Sequence, residues 1–211
     1  MENSRNLRES EECGTQPPYD VCKNLLEKIA IVSGNSRGIA KQITEDLRNL
    51  GYSVPDISRT SGYDLMKDGI DKLFNNYPEC EILVNSCGGM GRSKQEDWKD
   101  CMQKNYGIAL ELTMHYLPKM LEKGFGRVIT ISSICGLDYI GLPWFNAAKA
   151  AQIALNCSLA RTYNSGVTFN TICPGNVNVR EGENYSLNPK DVSRLVLKLI
   201  HSPVNGEVIR M

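Results

Sequence analysis

"KIAIVSGNSRGIAKQITEDLRNLG", residues 28–51, decides the fold. Ile29 to Val32 form a short apolar run that ends in Ser33 and Gly34. Ile39, Ile43, Leu47 and Leu50 then recur at helical spacing until Gly51 stops the period. The stretch therefore reads as a strand, a glycine-bearing turn and a helix. At such a junction the first amides of the helix point outward and its dipole favours negative charge, so a diphosphate can sit close against the backbone. A tight turn needs glycines in any case, so the weight falls on what surrounds this unit.

The same alternation continues to the end of the chain. Strands are expected in "YSVPDIS" (52–58), "EILVNSCGG" (81–89), "GRVITISS" (126–133), "VTFNTICPG" (167–175) and "GEVIRM" (206–211). Between them lie helical patterns at 65–77, 98–124 (one long helix), 146–166 and 188–201. Strands separated by helices longer than a hairpin loop predict a parallel sheet covered on both faces, a doubly wound α/β fold. Pro55 removes a ladder donor from the 52–58 segment and Asp56 is a poor interior residue, which places that strand at an edge. Only residues 60–63 separate it from the next motif, so the sheet is shortened on that side. Residues 1–23 are polar, carry Pro17-Pro18 and have no period that buries a face; they read as a flexible arm before a single domain over 24–211.

Lys+Arg and Asp+Glu balance at 24 each, which removes any strong field toward nucleic acid or an anionic membrane. The eight Cys include no CxxC pair and His115 and His201 are the only histidines, a poor set for zinc and one that suits a reducing compartment. No run is long and apolar enough to span a membrane, and the first residues lack the layout of a signal peptide. A cytoplasmic protein is expected. Cys87 and Cys135 read as small packing residues, as do Met102, Met114 and Met120 on the long helix.

Several motifs together carry a family resemblance. Ser33-Gly34-x-x-x-Gly38-Ile39-Ala40 resembles the TGxxxGIG turn of the short-chain dehydrogenase/reductase family, and Asn85-Ser86-Cys87-Gly88 resembles its NNAG. "ISS" (131–133), "FNAAK" (145–149) and Pro174-Gly175 follow in the family's order. The resemblance covers roughly residue 25 onward and implies a Rossmann-like dinucleotide-binding domain. It implies cofactor contacts from Ser33, Gly34, Asn35, Ser36, Arg37, Gly38 and Ile39 in the turn, and from Asn85, Ser86, Cys87, Gly88, Pro174, Gly175 and Val177 at later strand ends. Asp64 and Leu65 resemble the pair that contacts the adenine. Where NAD-dependent members carry an acidic residue this chain has Ser58, followed by Arg59, with Arg37 on the same side. Two guanidiniums and no carboxylate favour NADP(H).

The resemblance assigns Asn105 to holding a water for proton relay, Ser133 to the substrate oxygen, and Lys149 to the nicotinamide ribose. Ser132 is the other serine at that strand end, but alternation turns it to the opposite face. The departure is Phe145, which stands where the family has a proton-donating Tyr; Tyr139 and Tyr106 are near in sequence, with no spacing that brings them to the same oxygen. Retention of Asn105, Ser133 and Lys149 favours a disabled Tyr-to-Phe form of an oxidoreductase of a carbonyl or secondary alcohol. The rival is a non-catalytic NADP-binding sensor or partner subunit. Val179 occupies the place of a Thr, and only residues 176–188 precede the last helix, so the lid is short. An open pocket with Trp144 and Tyr139 as walls suits a bulky or carrier-tethered substrate. Apolar faces on the long helix and on 150–160 resemble the family's dimer interface, implying a homodimer or homotetramer.

Overall fold

The computed structural model describes residues 28–89, 97–163 and 166–211; the arm expected over 1–23 lies outside them. Strands β1 (Ala30–Val32), β2 (Ile82–Asn85), β3 (Gly126–Ile131), β4 (Val167–Cys173) and β5 (Val208–Arg210) form one sheet in the order β1-β2-β3-β4-β5. Every neighbouring pair is parallel. The helices are α1 (Gly38–Asn49), α2 (Gly69–Asn76), α3 (Trp98–Met102), α4 (Ile108–Lys123), α5 (Cys135–Asp138), α6 (Pro143–Thr162) and α7 (Pro189–Ile200).

Period-two alternation divides the core. Ile31, Leu83, Val128 and Phe169 face one side, against Leu73 of α2, Leu112, Tyr116 and Met120 of α4, and Leu159 of α6. Ala30, Val32, Ile82, Val84, Ile129, Ile131 and Ile172 face the other, against Ile43 and Leu47 of α1 and Val192 and Val196 of α7. Both faces are covered, so the strands read as continuous apolar runs. The doubly wound parallel sheet expected from the sequence is the architecture observed.

The expected second strand lies at the edge beside β1 but forms a ladder at one point only, the bridge between Ile29 and Ser53. Beyond it, Pro55 has no N–H to give. The side chain of Asn35, in the glycine turn, takes over: its Nδ2 donates to the Pro55 carbonyl and its Oδ1 accepts from Ile57 N, both at 2.8 Å. A carboxamide thus does the work of a strand backbone where β1 has already turned away.

The long helix expected over 98–124 is interrupted. Gln103–Gly107 forms a π turn between α3 and α4. Asn105, at its centre, donates to the Cys101 carbonyl four residues back (2.9 Å), competing with the helical ladder for that acceptor. Helix α6 begins at Pro143, earlier than the apolar pattern suggests, because Pro at the first helical position needs no N–H partner. The four-residue α5 has too little period to be read from sequence. Met120 packs in the core as expected, whereas Met114 is 48% exposed. Among the described residues no helix is long and apolar enough to cross a membrane.

Asn35→Ala leaves the Pro55 carbonyl and the Ile57 amide without their partner. A loss of roughly 2 kcal/mol in urea unfolding is expected, with an unchanged m value.

Candidate active site

The chain runs from β1 outward to the 53–57 edge and then back across the sheet to β2. That reversal places a crevice at the carboxyl ends of β1 and β2, the position where open α/β sheets take ligands. The glycine turn is fixed there by Ser33, whose buried Oγ accepts from the amides of Ser86 and Cys87, each at 2.9 Å. Gly34 and Gly38 have positive φ (71° and 59°). Helix α1 starts with no side-chain cap and no acidic residue in its first turn, so its leading amides are left for an anion. Residues and chemistry fit a dinucleotide diphosphate at this turn.

The remaining expected cofactor residues divide into two groups. Ser36 and Arg37 are exposed on the turn, Arg59 is exposed in the 3-10 turn Arg59–Ser61, and neither guanidinium forms a hydrogen bond or ion pair with another described residue. Gly88, Gly175 and Val177 lie at the ends of β2 and β4. By contrast, Asn35 is spent on the edge strand, Leu65 is buried in the core, and Asp64 accepts from Met66 N at 3.2 Å. Asn85 donates to Thr113 Oγ1 of α4 (2.9 Å), Ile39 is half-buried against the α1–α7 core, and the Pro174 carbonyl accepts from Ile134 N. These hold the frame. Sequence reasoning missed a cleft of about 290 Å³ beside Ser58, lined by Ser36, Lys41, Glu45, Arg48, Asp56 and Thr60, in which Lys41 pairs with Glu45 and Arg48 with Asp56. Its Lys41 and Arg48 lie on the polar face of α1, one and three turns in, and the helical period could have revealed them.

The second half of the site lies where β3 meets α5 and α6. Lys149 is 5% exposed. Its Nζ donates to the Ile131 carbonyl and to Gln152 Oε1, both at 3.1 Å, and lies 5.8 Å from the centre of the Phe145 ring. Phe145, one helical turn earlier, is itself buried. Helix α5 packs so closely that a Cβ on Gly136 would come within 2.7 Å of the Lys149 backbone carbon. Ser132 Oγ donates to the Lys149 carbonyl (2.9 Å), facing away from Ser133 as alternation predicts. Ser133 Oγ accepts from Cys135 N at 3.2 Å, which leaves its O–H to donate elsewhere.

Asn105 is brought to the same place but is already occupied. It is fully buried; its Oδ1 accepts from Gly89 N (2.7 Å), and its Nδ2 donates to Cys101 O and Gly89 O. A Cβ on Gly88, whose φ is +136°, would come within 2.5 Å of that Oδ1, so the loop after β2 needs glycine there. The Asn105 carbonyl accepts from Gln152 Nε2. The relay water expected at Asn105 thus meets a carboxamide and a carbonyl that have side-chain and backbone partners. Gln152 was not singled out from sequence, although it lies on the same α6 face as Phe145, Lys149 and Asn156.

Of the expected substrate walls, Tyr139 is 74% exposed and Trp144 half-buried with an unpartnered Nε1. The short segment after Pro174-Gly175 folds back over the glycine turn: Val179 Cγ1 is 3.3 Å from where a Cβ on Gly38 would stand.

A parallel sheet with an anion-ready glycine turn, and a buried Lys one turn from an aromatic ring at the same sheet edge, define a dinucleotide-type α/β protein. Residues 60–189 match the family model "short chain dehydrogenase". The chain belongs to that family. It is 32% identical to the 3-oxoacyl-(acyl-carrier-protein) reductase FabG of Escherichia coli over 72% of this chain and 74% of the relative. The acetoacetyl-CoA reductase of Rhizobium meliloti is 29% identical over 71% of this chain and 74% of its own length. Among solved structures, an oxidoreductase of the family from Burkholderia thailandensis superposes with a TM-score of 0.75 at 19% identity, covering 88% of this chain and 91% of the other. ElxO with NADP bound superposes at 0.73 and 18% identity, covering 88% and 97%.

Burial lowers the Lys149 pKa from 10.5 to about 8, opposed by the neighbouring thiols of Cys173, Cys87, Cys135 and Cys101. Between these two values the unfolded chain binds more protons than the folded one, so stability rises with pH there. Relative to Lys149→Met, the protein is expected to gain roughly 3 kcal/mol in urea unfolding between pH 7 and pH 10.5; a gap that does not change with pH contradicts the buried, weakly basic Lys149.

Proposed function

We propose that this chain is an NADP(H)-dependent oxidoreductase scaffold for a carbonyl or secondary alcohol, with the proton donor removed at Phe145. The observation that carries the reading is the buried Lys149 ammonium, held beside the Phe145 ring and in the same neighbourhood as the Ser133 loop. Bound NADPH supplies the hydride for a carbonyl carbon. This chain's own residues do the rest: the amides at the start of α1 bind the diphosphate, Lys149 holds the nicotinamide ribose, and Ser133 donates to the substrate oxygen. Phe145 keeps the ring of a proton donor without its hydroxyl. Positioned proton transfer contributes about 10² to 10⁴ in rate, on the order of 3 to 5 kcal/mol of barrier. Binding survives that loss and turnover suffers it.

Several features support NADP(H) over NAD(H). Ser58 stands in place of a carboxylate, Arg37 and Arg59 are unpaired among described residues, and the adjacent cleft offers the hydroxyls of Ser36 and Thr60. The substrate reading follows the two relatives, whose names specify 3-oxoacyl thioesters, and the apolar surface of Tyr139, Ile140 and Tyr185, which a tethered acyl chain could use. A cytoplasmic homodimer or homotetramer associating through α4 and α6 accords with the exposed Met114. The rival, a non-catalytic NADP-binding sensor or partner subunit, is favoured by one observation: Gln152 occupies the Asn105 carbonyl.

Phe145→Tyr decides between the two. With NADPH and a panel of 3-oxoacyl thioesters and simple ketones, the variant is expected to gain about 100-fold or more in kcat over the parent chain. Continued silence, with NADPH still bound, supports the non-catalytic reading instead.

A further inference from the structure

The least expected side chain in the core of this site is Gln152. It is 1% exposed, it lies on the buried face of α6, and both ends of its carboxamide are engaged. Oε1 accepts from Lys149 Nζ at 3.1 Å, and Nε2 donates to the carbonyl of Asn105 in the π turn. The orientation is dictated by its partners. Turned over, the amide would set N–H groups against an ammonium, which has no lone pair, and an oxygen against a carbonyl, which has no hydrogen. Gln152 therefore links the cation of α6 to the backbone of the α3–α4 turn in one fixed sense.

We propose that Gln152 is the positioning residue of Lys149: it anchors on the Asn105 carbonyl and holds the Lys149 ammonium in place as a fixed cation. Lys has four rotatable bonds and a compact charge, so a lone carbonyl from Ile131 fixes its direction poorly. A second acceptor tied to another element restricts that freedom and offsets part of the desolvation cost. An amide also donates its hydrogen bond without giving up the proton. The contact between Lys149 and the Asn105 carbonyl is thereby made through a group that positions but does not conduct. The Ile131 carbonyl of β3 and Gln152 of α6 bond to the Lys149 ammonium and the Phe145 ring lies 5.8 Å away, while the ionisable groups that act on its charge are the thiols of Cys87 after β2, Cys101 of α3, Cys135 of α5 and Cys173 of β4. Among the described residues, Gln152 supplies the side-chain hydrogen bond to the ammonium.

The holding of Lys149 is independent of cofactor; its consequence for binding rests on the function proposed above. The test uses the full chain labelled with 13C-lysine, with the Lys149 Cε resonance assigned by its loss in Lys149→Met and titrated without cofactor. In Gln152→Glu, a carboxylate against the ammonium is expected to raise the Lys149 midpoint by about one unit or more, tenfold in ionisation constant. In Gln152→Leu, the lost acceptor is expected to lower it. A role in packing alone would reduce thermal stability in Gln152→Leu and leave the midpoint where the parent has it, and that result overturns the proposal. If the Leu variant does not fold, Gln152→Met, unbranched like the parent and without a carboxamide acceptor, takes its place. NADPH affinity is then measured against pH in the same proteins, and the pH at which it weakens is expected to follow the Lys149 midpoint. If NADPH fails to bind the parent at any pH, the dinucleotide function is refuted, while the Lys149 titration still judges Gln152.

Discussion

Burying one ammonium group organises this end of the molecule. A charge taken out of water is costly unless it is hydrogen-bonded, and Lys149 meets that requirement with the Ile131 carbonyl at the end of β3 and the Gln152 amide. Each partner constrains an element. The bond to Ile131 brings α6 across the end of the central strand. The bond through Gln152 draws the α3–α4 junction inward, where Asn105 already distorts the helix into a π turn. Gly136 lets α5 lie against the Lys149 backbone, and Ser132 fastens the Lys149 carbonyl from the other side. The Ser133 loop, the Phe145 ring and the ammonium are thus assembled by one electrostatic demand.

The cofactor half rests on a different device, substitution of side chains for backbone. Ser33 receives two amides from the loop after β2, and Asn35 supplies the donor and acceptor that the 53–57 segment cannot obtain from β1. Asn105 does the same for Gly89. Three polar residues close the gaps that parallel strands leave where they diverge at their carboxyl ends. The loops are tied together there without a continuous sheet. Their amides and hydroxyls are consumed in doing so, and the α1 amides, Ser36, Arg37 and Arg59 are left for a ligand.

Much of this was legible in the sequence. Strand-turn-helix periodicity gave the parallel sheet, and Pro55 placed the 52–58 segment at the edge, because both depend on local chemistry. The motif residues of the resemblance do gather at one sheet edge. Roles within that set were less legible. Asn35, Asn85 and Leu65 share motifs with residues that the resemblance assigns to the cofactor, yet their side chains turn inward, and direction depends on neighbours distant in sequence. The π turn escaped because an apolar period continues through it. Gln152 escaped because a single polar residue on a helix face has no partner until Asn105, 47 positions away, is folded against it.

We propose this sheet edge, with Lys149 fixed at one end and the Ser58 cleft at the other, as a binding site for NADP(H). Calorimetric titration of the parent chain with NADPH and with NADH at pH 7 tests it most directly. NADPH is expected to bind tighter than NADH by about tenfold or more, with Ser58→Asp reversing the preference. Equal affinity for the two that Ser58→Asp leaves unchanged, or no binding of either, would contradict it.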